Sequence, residues 1–366
     1  MYKVLLVTIQ DNGNFGNRLQ NYALQETLVS LGCDVDNLDV MRRQNESMAF
    51  KGKTAIKRAL SFFGVKKYNS FIKRQNRIKG GKKFSRDNIK NICFENRDLL
   101  MNKQWNQYDC IIVGSDQVWH NWKIIPDELE YFYLTFAPRE KRIAYAASFG
   151  FETFPLEDLE IHKNGIDGMR TISCRETEGC VLVKNLTGKS ALKVLDPTLL
   201  LLGDQWEKIE LKPKFVVPTQ YLLVFFLGDI PPEYISEIEK ISKEKQLVIV
   251  NINSNTDLKH CARRPEEFLW LIHRASVVCT DSFHASVFSI LYNRGLRVFP
   301  RKSKKDGYEK MFGRLVDLLE PLGLLENAFG YGDRIDTNLS NKARDSFEEE
   351  KSKSILFLKN NINLCE

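Results

Sequence analysis

Short apolar runs recur along the chain, each followed by a polar turn and then by a segment with helical spacing. The first run, YKVLLVTI, is rich in Val, Leu and Ile and alternates only weakly, which predicts a strand buried on both faces. DNGNFGN forms the turn. RLQNYALQETLVSLG then sets Leu19, Tyr22, Ala23, Leu28 and Leu31 near helical spacing, with Gly32 as a stop. CDVDNLDV predicts the next strand, completing a βαβ opening. The alternation returns in YDCIIVGSDQVW (strand, turn and helix start), RIAYAASFG (strand), TISCRETEG (strand into a helix with an acidic first turn) and ALKVLDPTLLL (strand ending in Asp-Pro).

Residues 206–220 show no periodicity and contain two prolines, which predicts a linker. A second alternating set follows. YLLVFFLG, LVIVNIN, SVVCTDS and LRVFP predict strands; PPEYISEIEKISKEK, RPEEFLWLIHRA and FHASVFSILYNRG predict helices, the last closed by Gly295. The expected organisation is a first α/β domain over 1–205, the linker, a second α/β domain over 221–340, and a charged amphipathic helix over 341–366 able to cross back to the first. Two Rossmann-like parallel-sheet domains facing a cleft would bring their strand-end loops together, where such sheets bind ligands.

Charge is unevenly placed. Fourteen basic residues against one acid, Asp87, give residues 51–90 a charge of +13 in a chain of net +7, leaving the remainder at −6. Ile56, Ala59, Leu60 and Phe63, then Phe71 and Ile72, predict amphipathic helices here, broken near Gly64 and Gly80. Three readings of this insertion stand: a solvated face, a nucleic-acid surface without any recognised binding motif, or a contact with anionic lipid through Phe62, Phe63 and Phe71. The longest apolar run, YLLVFFL, falls short of the ~20 residues a spanning helix needs. The opening residues lack the basic start and cleavage site of a signal peptide. Eight scattered cysteines form no CxxC, so no zinc site is expected, and Cys110 and Cys279 fit buried thiols of a reduced compartment.

Candidate chemistry gathers where strands meet helices. His284 stands at a helix start behind Thr280, Asp281 and Ser282, where free N–H groups favour an anion and an imidazole can move a proton. The alternative is a histidine that bonds a neighbouring carbonyl. Arg175, after TISC, can grip a carboxylate or phosphate with two parallel bonds, or form a surface ion pair with Glu176 or Glu178. Arg297 and Arg314 are similar candidates. Gly13 and Gly16 permit close backbone approach but match neither GxGxxG nor a P-loop. Asp116 and Gln117 sit in a comparable loop, where an aspartate can accept a hydroxyl proton or cap a helix.

DNGNFGNRLQNYALQ, IIVGSDQVW, AYAASFG, SCRETEG, VLDPTLLL and TDSFHASVFSIL occur in this order between about residues 3 and 315, and together they resemble the polysaccharide pyruvyl transferase family. The resemblance implies two Rossmann-like domains in the glycosyltransferase-B arrangement. It implies transfer of a pyruvyl group from phosphoenolpyruvate to a sugar of a bacterial surface polysaccharide or its lipid-linked precursor, as a cyclic ketal. The family's donor contacts are an Arg-x-His element and an earlier arginine. These match His284 and Arg175, while Ser282 holds the late arginine's position, so Arg314 or Arg297 is expected to supply the missing cation. The implied donor set is Arg175, Ser282, Phe283, His284, Arg297 and Arg314. His284 is the expected acid or phosphate partner and Asp116 the expected base. The acceptor is expected near Asn14, Gly16, Asn17, Gln20, Asn21 and Gln117. No metal or cofactor is called for beyond the co-substrate. Partners would be the sugar and, through 51–90, the inner face of the plasma membrane of a cytoplasmic protein; nucleic acid is not among them. Two rivals are a nucleotide-sugar glycosyltransferase and a non-catalytic glycan-binding relative.

Overall fold

The computed structural model describes residues 1–40, 69–94, 103–123, 128–302 and 312–362. The first sheet contains β1 (Tyr2–Val7), β2 (Cys33–Val40), β3 (Asn91–Phe94), β4 (Cys110–Val113), β5 (Arg142–Ala147), β6 (Thr171–Cys174) and β7 (Leu192–Lys193). Its order is β3-β2-β1-β4-β5-β6-β7, and every described pairing is parallel. The central strand β1 pairs Leu6 with Asn37 on one side and with Ile112 on the other. Val4 to Val7 are buried throughout, as a strand covered by helices on both faces requires.

Helices α1 (Phe15–Ser30), α2 (Asn69–Asn88), α3 (Glu128–Phe132), α4 (Leu159–Asp167), α5 (Thr177–Thr187) and α6 (Gly203–Glu207) accompany this sheet. The second sheet holds β8 (Tyr221–Phe225), β9 (Val248–Asn251), β10 (Val277–Thr280) and β11 (Gly295–Val298) in the order β11-β10-β8-β9, again parallel. Around it run α7 (Pro232–Glu244), α8 (Pro265–Arg274), α9 (Phe283–Leu291) and α10 (Gly313–Leu319). The last helix, α11 (Asn341–Asn361), returns to the first sheet: Phe357, Leu358 and Ile362 pack with Val4, Leu6, Val35 and Tyr145, and Ser354 Oγ accepts from Leu195 N at 2.9 Å. The two sheets share a core in which Phe15, Leu19 and Ala23 of α1 meet Phe225, Phe268 and Phe288 of the second.

Four local expectations give way. The helix expected to break at Gly80 runs on through Gly80 and Gly81. A Cβ at Gly80 would lie 1.9 Å from Arg263 O, and one at Gly81 2.1 Å from Asn12 O, so these glycines are packing positions, not stops. No helix starts at Gln117; Asp116 takes a left-handed backbone conformation (φ 77°) and pairs with Ala147 as a bridge. Gly295 opens β11 instead of closing α9, which ends at Leu291, and Asn293 supplies the positive φ of the turn. The expected linker begins inside α6, where Trp206 is fully buried against Phe288.

Residues 51–68 of the basic insertion lie outside the described residues. In the described part, Phe84 is buried in the shared core. Lys73 Nζ donates to Asn253 O at 2.7 Å, and the Arg77 guanidinium lies 4.7 Å from the Phe15 ring centre. The apolar face of α2 therefore covers protein, not lipid, and bridges the two sheets. Arg74, Lys79, Lys82 and Lys83 remain exposed on its outer side.

Candidate active site between the two sheets

In each sheet the strand order reverses once, between β1 and β4 in the first and between β8 and β10 in the second. Loops leaving such adjacent strands part to opposite faces and open a crevice at the carboxyl ends. The loops after β1, β4, β6 and β7 and the start of α9 converge there.

His284 occupies the first turn of α9 and is about one-tenth exposed. It stands against the other sheet's first helix: a Cβ at Gly16 would fall 2.1 Å from its Nδ1. Its Nε2 is buried without a hydrogen-bond partner and lies 3.9 Å from Asp196 Oδ2. Asp196 follows β7, is almost wholly buried, and accepts from Thr198 N (3.0 Å), Thr198 Oγ1 (2.7 Å) and Ser115 Oγ (3.1 Å). The same carboxylate receives Arg175 Nη1 at 3.0 Å. Arg175 Nε reaches Glu176 at 3.4 Å, its guanidinium lies 4.8 Å from the Phe283 ring centre, and its Nη2 is buried without a partner. Glu176 in turn accepts a short hydrogen bond from Ser148 Oγ.

Asp116 faces the group from the β4 loop. Its Oδ2 accepts from Asn17 Nδ2 at 2.9 Å and its Oδ1 from Gln117 N at 2.9 Å. Asn17 is held by Asp11 N and by the buried Arg18, whose guanidinium also donates to Ile9 O at 2.6 Å. Arg314 arrives from α10, a helix tied to the start of α5 by Asp317, which accepts from Thr177 N at 3.0 Å. It interacts electrostatically with Arg175, Glu176, Asp116 and Arg301. A cavity of about 40 Å³ is lined by Arg175, Asp196, Phe283 and Arg314, with Glu176 and Asp317 also on its wall.

The electrostatics follow from this packing. Burial lowers the pKa of His284; Asp196 and Asp116 offset part of that, while Arg175 and Arg314 add to it, so the imidazole is neutral at pH 7. Burial opposes the charge of Arg175, but Glu176, Asp196 and Asp116 outweigh it and hold its pKa above the usual range. Burial and the nearby Arg175 bring Arg314 down to about 10. Burial raises the carboxyl of Asp116, yet Arg175, His284, Asn17 and Arg314 leave it net below the ordinary range. Asp196 is held low likewise, with His284 and Arg175 overcoming its burial.

The structure thus brings together His284, Arg175, Phe283, Arg314, Asp116, Asn17 and Gly16. It separates others. Arg297 is buried on the far side of the second sheet, bonded to Glu237 (3.0 Å) and Asp333 (3.4 Å), and does not enter the cleft. Ser282 Oγ caps α9 by accepting from Ala285 N at 3.4 Å, so its hydroxyl is spent on the helix. Asn14 caps α1 in the same way. Gln20 is buried beneath the loop, donating to Thr8 Oγ1 at 3.0 Å. Asn21 is buried with neither side-chain polar atom partnered. Gln117 lies over Gly150. Asp196 and Arg301 were not anticipated, and Glu176 was expected only as a surface ion-pair partner of Arg175, whereas the pair they form is buried. Asp196 sits in LDPT, which reads as a strand ending in a turn. Arg301 donates to Asp281 Oδ2 at 3.2 Å, and its only sequence signal is its place just after a predicted strand.

Among solved structures, the chain is similar to UDP-N-acetylglucosamine 2-epimerase from Rickettsia bellii at 10% identity and a TM-score of 0.51, covering 100% of this chain and 98% of that one. It is also similar to UDP-GlcNAc 2-epimerase from Neisseria meningitidis (8%, TM-score 0.48, 98% and 100% covered). A third is the E. coli ADP-heptose LPS heptosyltransferase II (11%, 0.37, 98% and 99%). At such identities the likeness speaks to the fold, which is of the glycosyltransferase-B kind. No curated protein matches the sequence. The sequence profile of polysaccharide pyruvyl transferases matches residues 14–303, a span that contains Asp116, Arg175, Asp196 and His284. The chain belongs to the polysaccharide pyruvyl transferase family.

Proposed function

We propose that the protein transfers a pyruvyl group from phosphoenolpyruvate to two hydroxyls of one sugar, closing a cyclic ketal. What supports the reading is a cluster of cationic groups with uncommitted donors: Arg175 Nη2 and His284 Nε2 are buried without hydrogen-bond partners, and Arg314 lines a small cavity with Arg175. Arg314, not Arg297, then supplies the cation that Ser282 does not. Two guanidiniums match the two anionic groups of the donor.

In this reading a proton is added to the donor's methylene carbon, giving cationic character to the adjacent carbon. One sugar hydroxyl forms a C–O bond there, the bond to the phosphate oxygen breaks, and the second hydroxyl closes the ring. The two hydroxyls release two protons; one balances the new methyl group and the other leaves on phosphate. His284 donates to the donor or its departing phosphate, and Asp116 receives a hydroxyl proton. A carboxylate held low is a weak base, but an anion bound to Arg175 and Arg314 offsets their pull and raises it.

The acceptor belongs to a bacterial surface polysaccharide or its lipid-linked precursor, reached at the cytoplasmic face of the membrane. The exposed Arg74, Lys79, Lys82 and Lys83 of α2 favour an anionic surface. Co-sedimentation with anionic liposomes at low salt tests that contact. Phosphate release from phosphoenolpyruvate, screened over hexose acceptors with mass spectrometry for the added pyruvyl group, tests the reaction. Release from no acceptor refutes it.

A further inference from the structure

Asp196 is a buried carboxylate set between Arg175 and His284. Asp196 Oδ2 lies 3.0 Å from Arg175 Nη1 and 3.9 Å from His284 Nε2. Its other oxygen is committed to Thr198. The imidazole therefore presents Nε2 to Asp196, while Nδ1 is seated against Gly16 in the first turn of α1.

We propose that Asp196 is a positioning residue for His284: its carboxylate keeps the ring turned with Nε2 towards Arg175 and the donor, and is the ring's counter-ion once it is protonated. A separation of 3.9 Å is longer than a hydrogen bond and shortens when the ring gains a proton, because the pair then becomes ionic. The other groups facing the ring divide in sign. Asp116 from the β4 loop favours the imidazolium; Arg175 from the β6 loop and Arg314 from α10 oppose it. At the contact, α1 offers Gly16 and the neutral Asn17; its Arg18 is turned away towards Ile9. Ser115 Oγ, donating to Oδ2 at 3.1 Å, competes with the imidazole for that oxygen. This inference rests on the reading of His284 as the donor's partner, but its test does not require turnover.

The experiment is a proton titration of the full chain labelled with ¹³C-histidine, with His284→Gln assigning the resonance among the five histidines. Asp196→Asn keeps a good turn cap, since asparagine and aspartate cap equally well. It should lower the His284 pKa by about one unit or more, the effect of losing an opposite charge at this range. Ser115→Ala frees the carboxylate oxygen and should move the same pKa upward. A merely structural role for Asp196 predicts no such pair of opposite shifts. An unchanged His284 pKa in Asp196→Asn overturns the proposal, and if that variant fails to fold, no rise in Ser115→Ala does so. In turnover, the alkaline limb of the pH profile should shift downward in Asp196→Asn together with the NMR value. If no phosphoenolpyruvate turnover is found at all while the opposite shifts are present, the donor assignment fails and the Asp196–His284 pairing stands.

Discussion

Gly16 and His284 form a contact that a single methyl group would abolish. Gly16→Ala would place its Cβ 2.1 Å from the imidazole, so the ring must leave its seat. Turnover should fall about as far as in His284→Ala, roughly 10²–10⁴-fold, while thermal unfolding changes little; both are measured by phosphate release and a melting curve. The two late arginines should part company. Arg314→Gln should raise the KM for the donor without loss of fold. Arg297→Gln should instead destabilise the protein by about 3–5 kcal/mol in denaturant titrations, because Glu237 is left beside an absent buried charge. That His284 and Arg175 meet in one cleft was legible because both stand at strand-to-helix junctions, which such sheets gather at their carboxyl ends. Asp196 was not, because an aspartate before proline is the ordinary way to start a turn, and only the chain's path shows that the turn ends beside His284. Arg297 misled because a strand-end arginine looks the same whichever face of the sheet it serves.

Whole elements were read correctly where their burial is one-sided or complete. The strands of both sheets other than the edge strand β3, whose NICF stretch carries too short a run to read, and α1, α5, α7 and α9 carry plain runs or clear spacing. The exceptions arise where a neighbour decides. α2 keeps two glycines inside a helix because Arg263 O and Asn12 O press against it, a fact no local propensity contains. Gly80→Ala should therefore push α2 off the 252–264 loop and loosen the link between the sheets, seen as faster amide exchange in both segments. The loop after β4 forms no helix because Asp116 turns back to bridge Ala147. α11 was legible as a helix able to cross back to the first domain, and Leu358 is fully buried in the first sheet's core. Leu358→Ala should cost about 2–5 kcal/mol of stability by denaturant titration, as large-to-small changes in packed cores do.

At the scale of the molecule, protons couple to both binding and stability. His284 is neutral in the empty cleft, and a bound polyanion favours its charged form, so donor binding should take up a proton. Donor affinity, by calorimetry in buffers of different ionisation heat, should be highest at low pH and decline as pH rises through the raised pKa of the complex. His162 acts in the opposite sense on folding. It is enclosed by Phe149, Phe151, Phe154 and Tyr133, and burial lowers its pKa to about 4. The folded state therefore binds fewer protons than the unfolded one between about pH 4 and 6.5, and should lose about 3 kcal/mol as pH falls through that window. His162→Phe should flatten this dependence in denaturant titrations.

The imidazole belongs to one sheet and the glycine it leans on to the other. The ring's seat is therefore a contact between the sheets, made by the same helix whose Phe15, Leu19 and Ala23 join them in one core. A change that shifts one sheet against the other unseats the imidazole even where it touches no residue of the cleft.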